Sequence, residues 1–396
     1  MATFRPRRFS NRNTLRSIAT ERLLAFLRPH SVFLDSRGLR LPLHAPWELN
    51  YEALAEILML PDANTPPDLV DAIYLVDEMA TPEGMESLLE SAAQVGLILD
   101  KGNEHTPADI AVQVWLLNRN ILERKHAEQF LYKRRSFEYF QAQSKLPPNF
   151  ELPSPDGHAK FELELAEWFE AKKRGKRCRI LIFPRHNEVA FLIRHGGVFQ
   201  REESENGDDV VTVSYRPIKY DVVIYDRDLR ELRINAELAS EKKFYCEQFG
   251  KHLFGDIARF PGTNKYTLDP LRELGADSLA HADIEGIEEV KLVEIEFFWG
   301  GAYRARGIMK ADDVFADLET QNRKLPEVGR ITRAIFKLKF ADSKCARSVM
   351  IKPTNVARYT RETDAVLVEQ WLQRRGFITI RQESPDEQPV SVMAGS

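Results

Sequence analysis

Acidic residues crowd one short stretch of this chain: Asp221, Asp226, Asp228, Glu231 and Glu237, followed by Glu241-Lys-Lys243. Carboxylates on neighbouring strands, with a basic side chain two residues beyond one of them, can hold Mg²⁺ and orient a water for attack on a phosphodiester. Asp221, Asp226, Glu231 and Arg233 supply that set, with Arg in Glu231-Leu-Arg233 where this chemistry ordinarily uses Lys. Asp226 and Asp228 are also natural turn residues. Glu289-Val-Lys291 repeats the tripeptide after Asp283, without a clear preceding strand. A different chemistry is offered further on. Residues 330–361 carry nine Lys or Arg against Asp342 alone, a net +8. In Arg333-Ala-Ile-Phe-Lys-Leu-Lys-Phe340 the strand period sends Ala334, Phe336, Leu338 and Phe340 one way and Arg333, Ile335, Lys337 and Lys339 the other. Lys344 in the following turn, then Arg347, Lys352, Arg358 and Arg361, extend the cations. Such an outward row can track phosphates, although lysines on a sheet also serve to block aggregation.

Other chemistries lack their residues. There is no Gly-x-x-x-x-Gly-Lys-Ser/Thr, no His-Glu-x-x-His and no Gly-x-Ser-x-Gly, and no cofactor or metal is expected. Ile193-Arg-His-Gly196 is similar over three residues to the Arg-His-Gly of histidine phosphatases. Those enzymes need a second His beyond several βα units, whereas here only His252 and His281 follow an antiparallel stretch. His195 is therefore read as an ordinary turn residue.

The elements that would position these residues form an α+β chain. Residues 179–235 read as a β meander: Arg179–Phe183, Glu188–Arg194, a polar excursion returning as Val210–Tyr215, then Tyr220–Tyr225 and Glu231–Asn235 around a turn. The N-terminal half reads as helical to about Gln143. Thr65-Pro66, Thr81-Pro82 and Thr106-Pro107 each set a capping hydroxyl before a proline suited to the first helical turn. A helix ending at Gly96, a short apolar strand, a turn at Lys101-Gly-Asn103 and a further helix give a winged-helix layout. The aromatics Trp115, Phe130, Tyr132, Phe137, Tyr139 and Phe140, interleaved with Arg119, Arg124, Lys125, Lys133, Arg134 and Arg135, can track a phosphate backbone and stack bases, but aromatics three and four apart more often mark a buried helix stripe, the reading preferred here. After a Pro-rich linker at 147–157, a helix from about Lys160 ends in Lys172-Lys-Arg-Gly-Lys-Arg177, as the helix dipole favours. Val290–Phe298, a helix over 311–322, Arg330–Phe340, Arg347–Lys352, a helix over 362–375 and Phe377–Arg381 spell β-α-β-β-α-β, a ferredoxin-like order. The expected domains are a basic arm and helix (1–45), an acidic helical block (46–146), the meander (158–283), the ferredoxin-like block (284–382) and a disordered tail (383–396).

At 396 residues the chain exceeds one ordinary core. No apolar run approaches the roughly 20 residues of a membrane span. Cys178, Cys246 and Cys345 are odd in number and widely spaced, which fits a reducing, cytoplasmic setting rather than a disulfide framework. The Arg-rich start is read first as a disordered solvated tail, and it also fits a transit peptide or a phosphate-binding arm. Residues 1–45 carry nine Arg against two acids, +7, and residues 46–104 carry thirteen acids against Lys101, −12. Those blocks either meet different partners or neutralise one another when packed.

Tyr220-Asp-Val-Val-Ile-Tyr-Asp226 with Leu232-Arg-Ile-Asn235 resembles the hairpin of WYL-domain regulators, with Tyr-Asp-Val in place of Trp-Tyr-Leu. The resemblance implies a winged helix, a small β domain, a ferredoxin-like extension and transcriptional regulation. The winged-helix region here is acidic, which disfavours direct DNA contact. Charge thus points to a non-catalytic nucleic-acid-binding or nucleoprotein subunit, with phosphates met by the basic C-terminal strands and a protein partner by the acidic block. A Mg²⁺-dependent nuclease on the 221–237 hairpin is the alternative from another class.

Overall fold

The structure, a computed structural model, describes residues 6–9, 11–44, 48–62, 64–100, 105–142, 150–206, 209–262, 265–353 and 355–379. In chain order the helices and strands are α1 (Arg12–Arg16), α2 (Thr20–Leu27), α3 (Ser31–Ser36), α4 (Tyr51–Met59), α5 (Pro67–Met79), α6 (Pro82–Gln94), α7 (Pro107–Lys133), β1 (Ser136–Gln141), α8 (Pro155–Ala171), β2 (Cys178–Pro184), β3 (Glu188–Gly196), β4 (Gln200–Asn206), β5 (Asp209–Tyr215), β6 (Ile218–Asp226), β7 (Glu231–Asn235), α9 (Ala239–Phe254), α10 (Pro270–Glu273), β8 (Ile287–Gly300), β9 (Ala305–Lys310), α11 (Val314–Thr320), β10 (Arg330–Phe340), β11 (Arg347–Lys352), β12 (Val356–Arg358) and α12 (Arg361–Arg374). The architecture is α+β. None of the helices among the described residues is long and apolar enough to cross a membrane. Two units separate, one of residues 1–131 with 198–217, the other of 132–197 with 218–396.

The first unit is helical, and its starts follow local chemistry. Thr81 caps α6 by accepting the Gly84 N–H, and Thr106 Oγ1 accepts the Asp109 N–H. Such caps contribute about 1 kcal/mol each. At α5 the start slips by one residue, because Pro66-Pro67 follows Thr65 and the Thr65 hydroxyl instead accepts the Asp62 N–H. Gly96 ends α6 with φ +68, which Gly adopts without a Cβ penalty. The apolar segment after it does not pair as a strand over 97–100; the Gln113 side-chain amide clamps it, donating to Asp100 O and accepting from Asp100 N–H, both at 2.9 Å. The expected turn at 101–103 lies outside the described residues. Leu23, Leu24, Leu54, Ile73, Leu88 and Ile110 are among the buried core.

Oppositely charged blocks in this unit neutralise one another. Arg8 meets Asp77, Arg12 meets Glu52, Arg22 meets Asp100 and Asp109, and Arg37 meets Asp62. Two residues of the basic N-terminal segment are held in this unit: Phe9 is fully buried, and Asp77 accepts the Arg8 and Phe9 N–H groups. The exposed ribbon β4–β5 also groups with this unit.

A ten-stranded antiparallel sheet organises the second unit, in the order β2-β3-β6-β7-β1-β12-β11-β10-β8-β9. Three expectations are corrected here. First, β3 pairs directly with β6, and the Val210–Tyr215 run leaves the meander to pair with the charged β4. Second, residues 136–141 are a strand and not the end of a helix stripe: Phe137 and Tyr139 alternate into the core, and β1 joins β7 to β12. One sheet thus runs through residues expected in separate domains. Third, the strands after 284 do not take the ferredoxin-like order. An extra strand, β9, turns the chain back once more after β8, so β10 returns antiparallel against the other edge of β8 and β11 then follows β10. Ile378 contributes one bridge to Tyr266 in place of the expected last strand, of which residues 380 and 381, like the 383–396 tail, lie outside the described residues.

Helices α8 and α9 cover one face of β2, β3, β6 and β7 through Phe161, Leu165, Phe169, Tyr245 and Phe249. Further along, Trp371 of α12 packs on Phe336 of β10 and on Phe377, at 5.1 and 5.2 Å between ring centres.

Candidate nucleic-acid interface

The sheet register sorts the expected phosphate contacts. Ala334, Phe336, Leu338 and Phe340 are buried, while Lys337 faces away from that core, opposite Ser348 on β11 and Lys291 on β8. Ile335, Met350 and Arg358 lie in one cross-strand row on the same outer face, and Lys352 is two residues from Met350. Lys337, Lys344, Lys352 and Arg358 form no ion pair among the described residues. Three others are already engaged. Arg333 lies 2.7 Å from Glu294 and 3.2 Å from Glu296 of β8, and Lys339 lies 3.0 Å from Glu288. Arg347 stands opposite Leu338, so it points to the helix-covered side, where it bonds Asp364 of α12 and overlies Phe340. The expectation that Arg347 continues the outward row is therefore corrected by register. The Arg361 side chain lies outside what is described.

A residue expected in a helix completes the group. Arg135, just before β1, joins Arg347, Arg358, Ser348, Tyr359 and Thr360 around a cleft of about 620 Å³. Arg135 and Arg358 are exposed, and the Arg135 carbonyl accepts the Tyr359 N–H. The period-2 alternation of Phe137 and Tyr139 was the signal that could have placed Arg135 at a strand end.

The acidic hairpin divides between two faces of the sheet. Asp221 and Asp226 are five residues apart on β6, so their side chains leave opposite faces. Asp226 joins Glu188, Glu231 and Arg233. Arg233 donates to Glu188 Oε1 at 2.6 Å and to Asp226, and Lys265 donates to Glu231 Oε1 at 2.6 Å. Glu231 is fully buried; burial pushes its carboxyl above the usual range in spite of Lys265. Arg233 is also buried. Burial opposes its charge, but Tyr139, Glu188, Glu369 and Asp226 more than offset it, and its basicity rises. The carboxylates expected to hold Mg²⁺ are thus occupied by Arg233 and Lys265, with Asp221 elsewhere.

On the helix-covered face, Asp221 Oδ2 accepts the Tyr245 hydroxyl at 2.8 Å and lies 3.1 Å from His195 Nε2. The His195 ring stacks on Phe169 at 3.9 Å and is fully enclosed. Ligand atoms of His195, Asp221 and Glu241 come within 4.8 Å of one another. Glu241 is taken, however, by Arg174 and by the Leu238 N–H. Cys178 stands opposite His195 in the register, which brings a thiol, an imidazole and a carboxylate together. Burial, then Glu162 and Asp221, push the thiol up to about 12, so no thiolate forms near neutrality and the group packs as a small apolar side chain. Sequence reasoning missed this cluster because its members meet only through long-range packing.

No protein-family model matches the chain, and no curated protein matches it either.

Proposed function

We propose that the second unit binds nucleic acid through the outer face of β10, β11 and β12, with Arg135 and Arg358 at the cleft and Lys337 and Lys352 beside it. The observation that supports this reading is that Lys337, Lys352 and Arg358 share the outer face and Arg135 lines the cleft beside Arg358, none of the four with a carboxylate partner among the described residues, next to a row of cations that do have partners. Like charges held together without counter-ions raise the local potential and favour a polyanion. The neighbouring Arg333 and Lys339, neutralised by β8, delimit the footprint. A protein partner for the acidic block would meet the exposed Glu83, Glu86 and Glu90 of α6, since many other acids there are paired internally.

The test is fluorescence anisotropy with labelled single- and double-stranded DNA and RNA over a salt series, with Mg²⁺ present. Binding should fall steeply with salt, and Arg135→Glu/Lys337→Glu/Arg358→Glu should weaken it and flatten the slope by about 2–3, at about 0.7–0.9 per phosphate contact. No binding at low salt would reject the reading. Shortening of the strands would replace it with a nuclease.

A further inference from the structure

The basic run Lys172-Lys-Arg-Gly-Lys-Arg177 does more than end a helix. With Lys173 at φ +59 and Gly175 at φ +95, the chain folds back at the end of α8 and sorts the cations. Arg174 turns inward to Glu241, whereas Lys176 and Arg177 reach a cavity of about 850 Å³. Two further arginines line that cavity. Arg179 on the edge strand β2 stands directly across from Arg194 on β3, and Arg194 is in turn opposite Tyr220 on β6. Like charges directly opposite each other on a sheet are destabilising unless something neutralises them.

The protein's own carboxylates do not suffice. Glu162, the one acid lining the cavity among the described residues, lies 2.6 Å from Arg179 and 3.4 Å from His158 and accepts the Ile180 N–H at 2.8 Å. Lys176 is taken by Glu170 at 3.1 Å. Arg177 and Arg194 are left without an ionic partner among the described residues. The walls between these cations are apolar and unusually bare: Leu163 and Ile218 are 58% and 56% exposed. Ligand sites combine such apolar walls with a few convergent polar groups in volumes of about 300–1,000 Å³. Guanidinium groups suit phosphate oxygens through paired N–H donors.

We infer that this cavity binds a nucleoside phosphate, with the phosphates on Arg177 and Arg194 and the base against Leu163, Ile218 and Tyr220. The site is separate from the β10–β12 face and does not depend on the reading given for that face.

Isothermal titration of the full chain with ATP, with adenosine in parallel, tests it. Saturable ATP binding is expected, with adenosine far weaker because the phosphates carry the recognition. Arg177→Glu/Arg194→Glu should weaken ATP by at least about tenfold, and Leu163→Glu, which leaves both arginines in place, should also weaken it. Arg358→Glu should leave it unchanged, which keeps this outcome distinct from that of the nucleic-acid test. No heat with ATP at millimolar concentration would overturn the inference. So would equal binding by the charge-reversed variant, if its far-ultraviolet circular dichroism matches that of the wild type.

Discussion

Lys265 Nζ lies 2.6 Å from Glu231 Oε1 and 4.1 Å from the centre of the Tyr139 ring, so one buried cation serves a carboxylate and an aromatic face together. Removing a single partner strands the other charge in a site where both side chains are at most 5% exposed. Lys265→Met should lower stability by about 3–5 kcal/mol in urea unfolding, and Lys265→Met/Glu231→Leu should recover part of the loss. Equal stability of Lys265→Met and wild type would show that the pair is not formed.

The Asp77 carboxylate anchors the N-terminal segment through the N–H groups of Arg8 and Phe9. Burial raises its pKa above the ordinary 3.8, and those two hydrogen bonds only partly oppose it. A carboxyl raised in the fold favours the folded state when protonated, so its contribution is complete below 3.8 and is lost as pH rises through the folded value. Asp77→Asn retains an acceptor for the Phe9 N–H and has no such titration. The difference in urea midpoint between wild type and Asp77→Asn should therefore change as pH rises above 3.8, in the direction that favours wild type at the acid end. A pH-independent difference would refute the assignment.

Thiol chemistry reports on the second unit. Cys345 is exposed, whereas Cys178 and Cys246 are buried, with Cys178 pushed up to about 12 and Cys246 raised further, by burial first and nearby carboxylates second. An aromatic disulfide reagent at neutral pH should titrate one thiol quickly and the other two only on unfolding. Fast reaction of Cys178 would contradict its enclosure beside His195.

Arg333 and Arg358 separate a paired from an unpaired cation on one sheet. Arg358→Ala should reduce the salt dependence of nucleic-acid binding by about one phosphate contact. Arg333→Ala, whose guanidinium is held by Glu294 and Glu296, should leave the slope nearly unchanged. The reverse order would place the contact surface nearer β8.

Much of this architecture is readable in the sequence where one local rule decides. Thr81 and Thr106 cap their helices, Gly96 stops one, and the alternation of residues 333–340 fixes which side chains are buried. The failures have physical causes. At Thr65 two adjacent prolines moved the cap. In β1 six residues carry too little pattern to distinguish a period of 2 from helical spacing when aromatics are dense. For Arg347 the face depends on the length of the turn after Phe340, which sets the register and is not encoded by the strand itself. Ferredoxin-like order failed on parity, because Ala305-Arg-Gly-Ile-Met-Lys310 is a short, exposed edge strand without an apolar run. In the acidic hairpin, strand period alone separates Asp221 from Asp226, but nothing local shows that Arg233 and Lys265 would occupy the carboxylates.

The position of β1 governs how the molecule can be cut. Because Ser136–Gln141 sits in mid-sheet, between β7 and β12, a fragment beginning at residue 150 would retain nine of the ten strands and lose the one that joins them. Excision at residue 283 would likewise split the sheet. Each piece would present bare N–H and C=O groups along a long strand, a template for pairing with other copies. Recombinant halves of this unit should therefore precipitate or swap strands, whereas co-expressing the two halves with Ser136–Gln141 retained should restore a soluble, paired species.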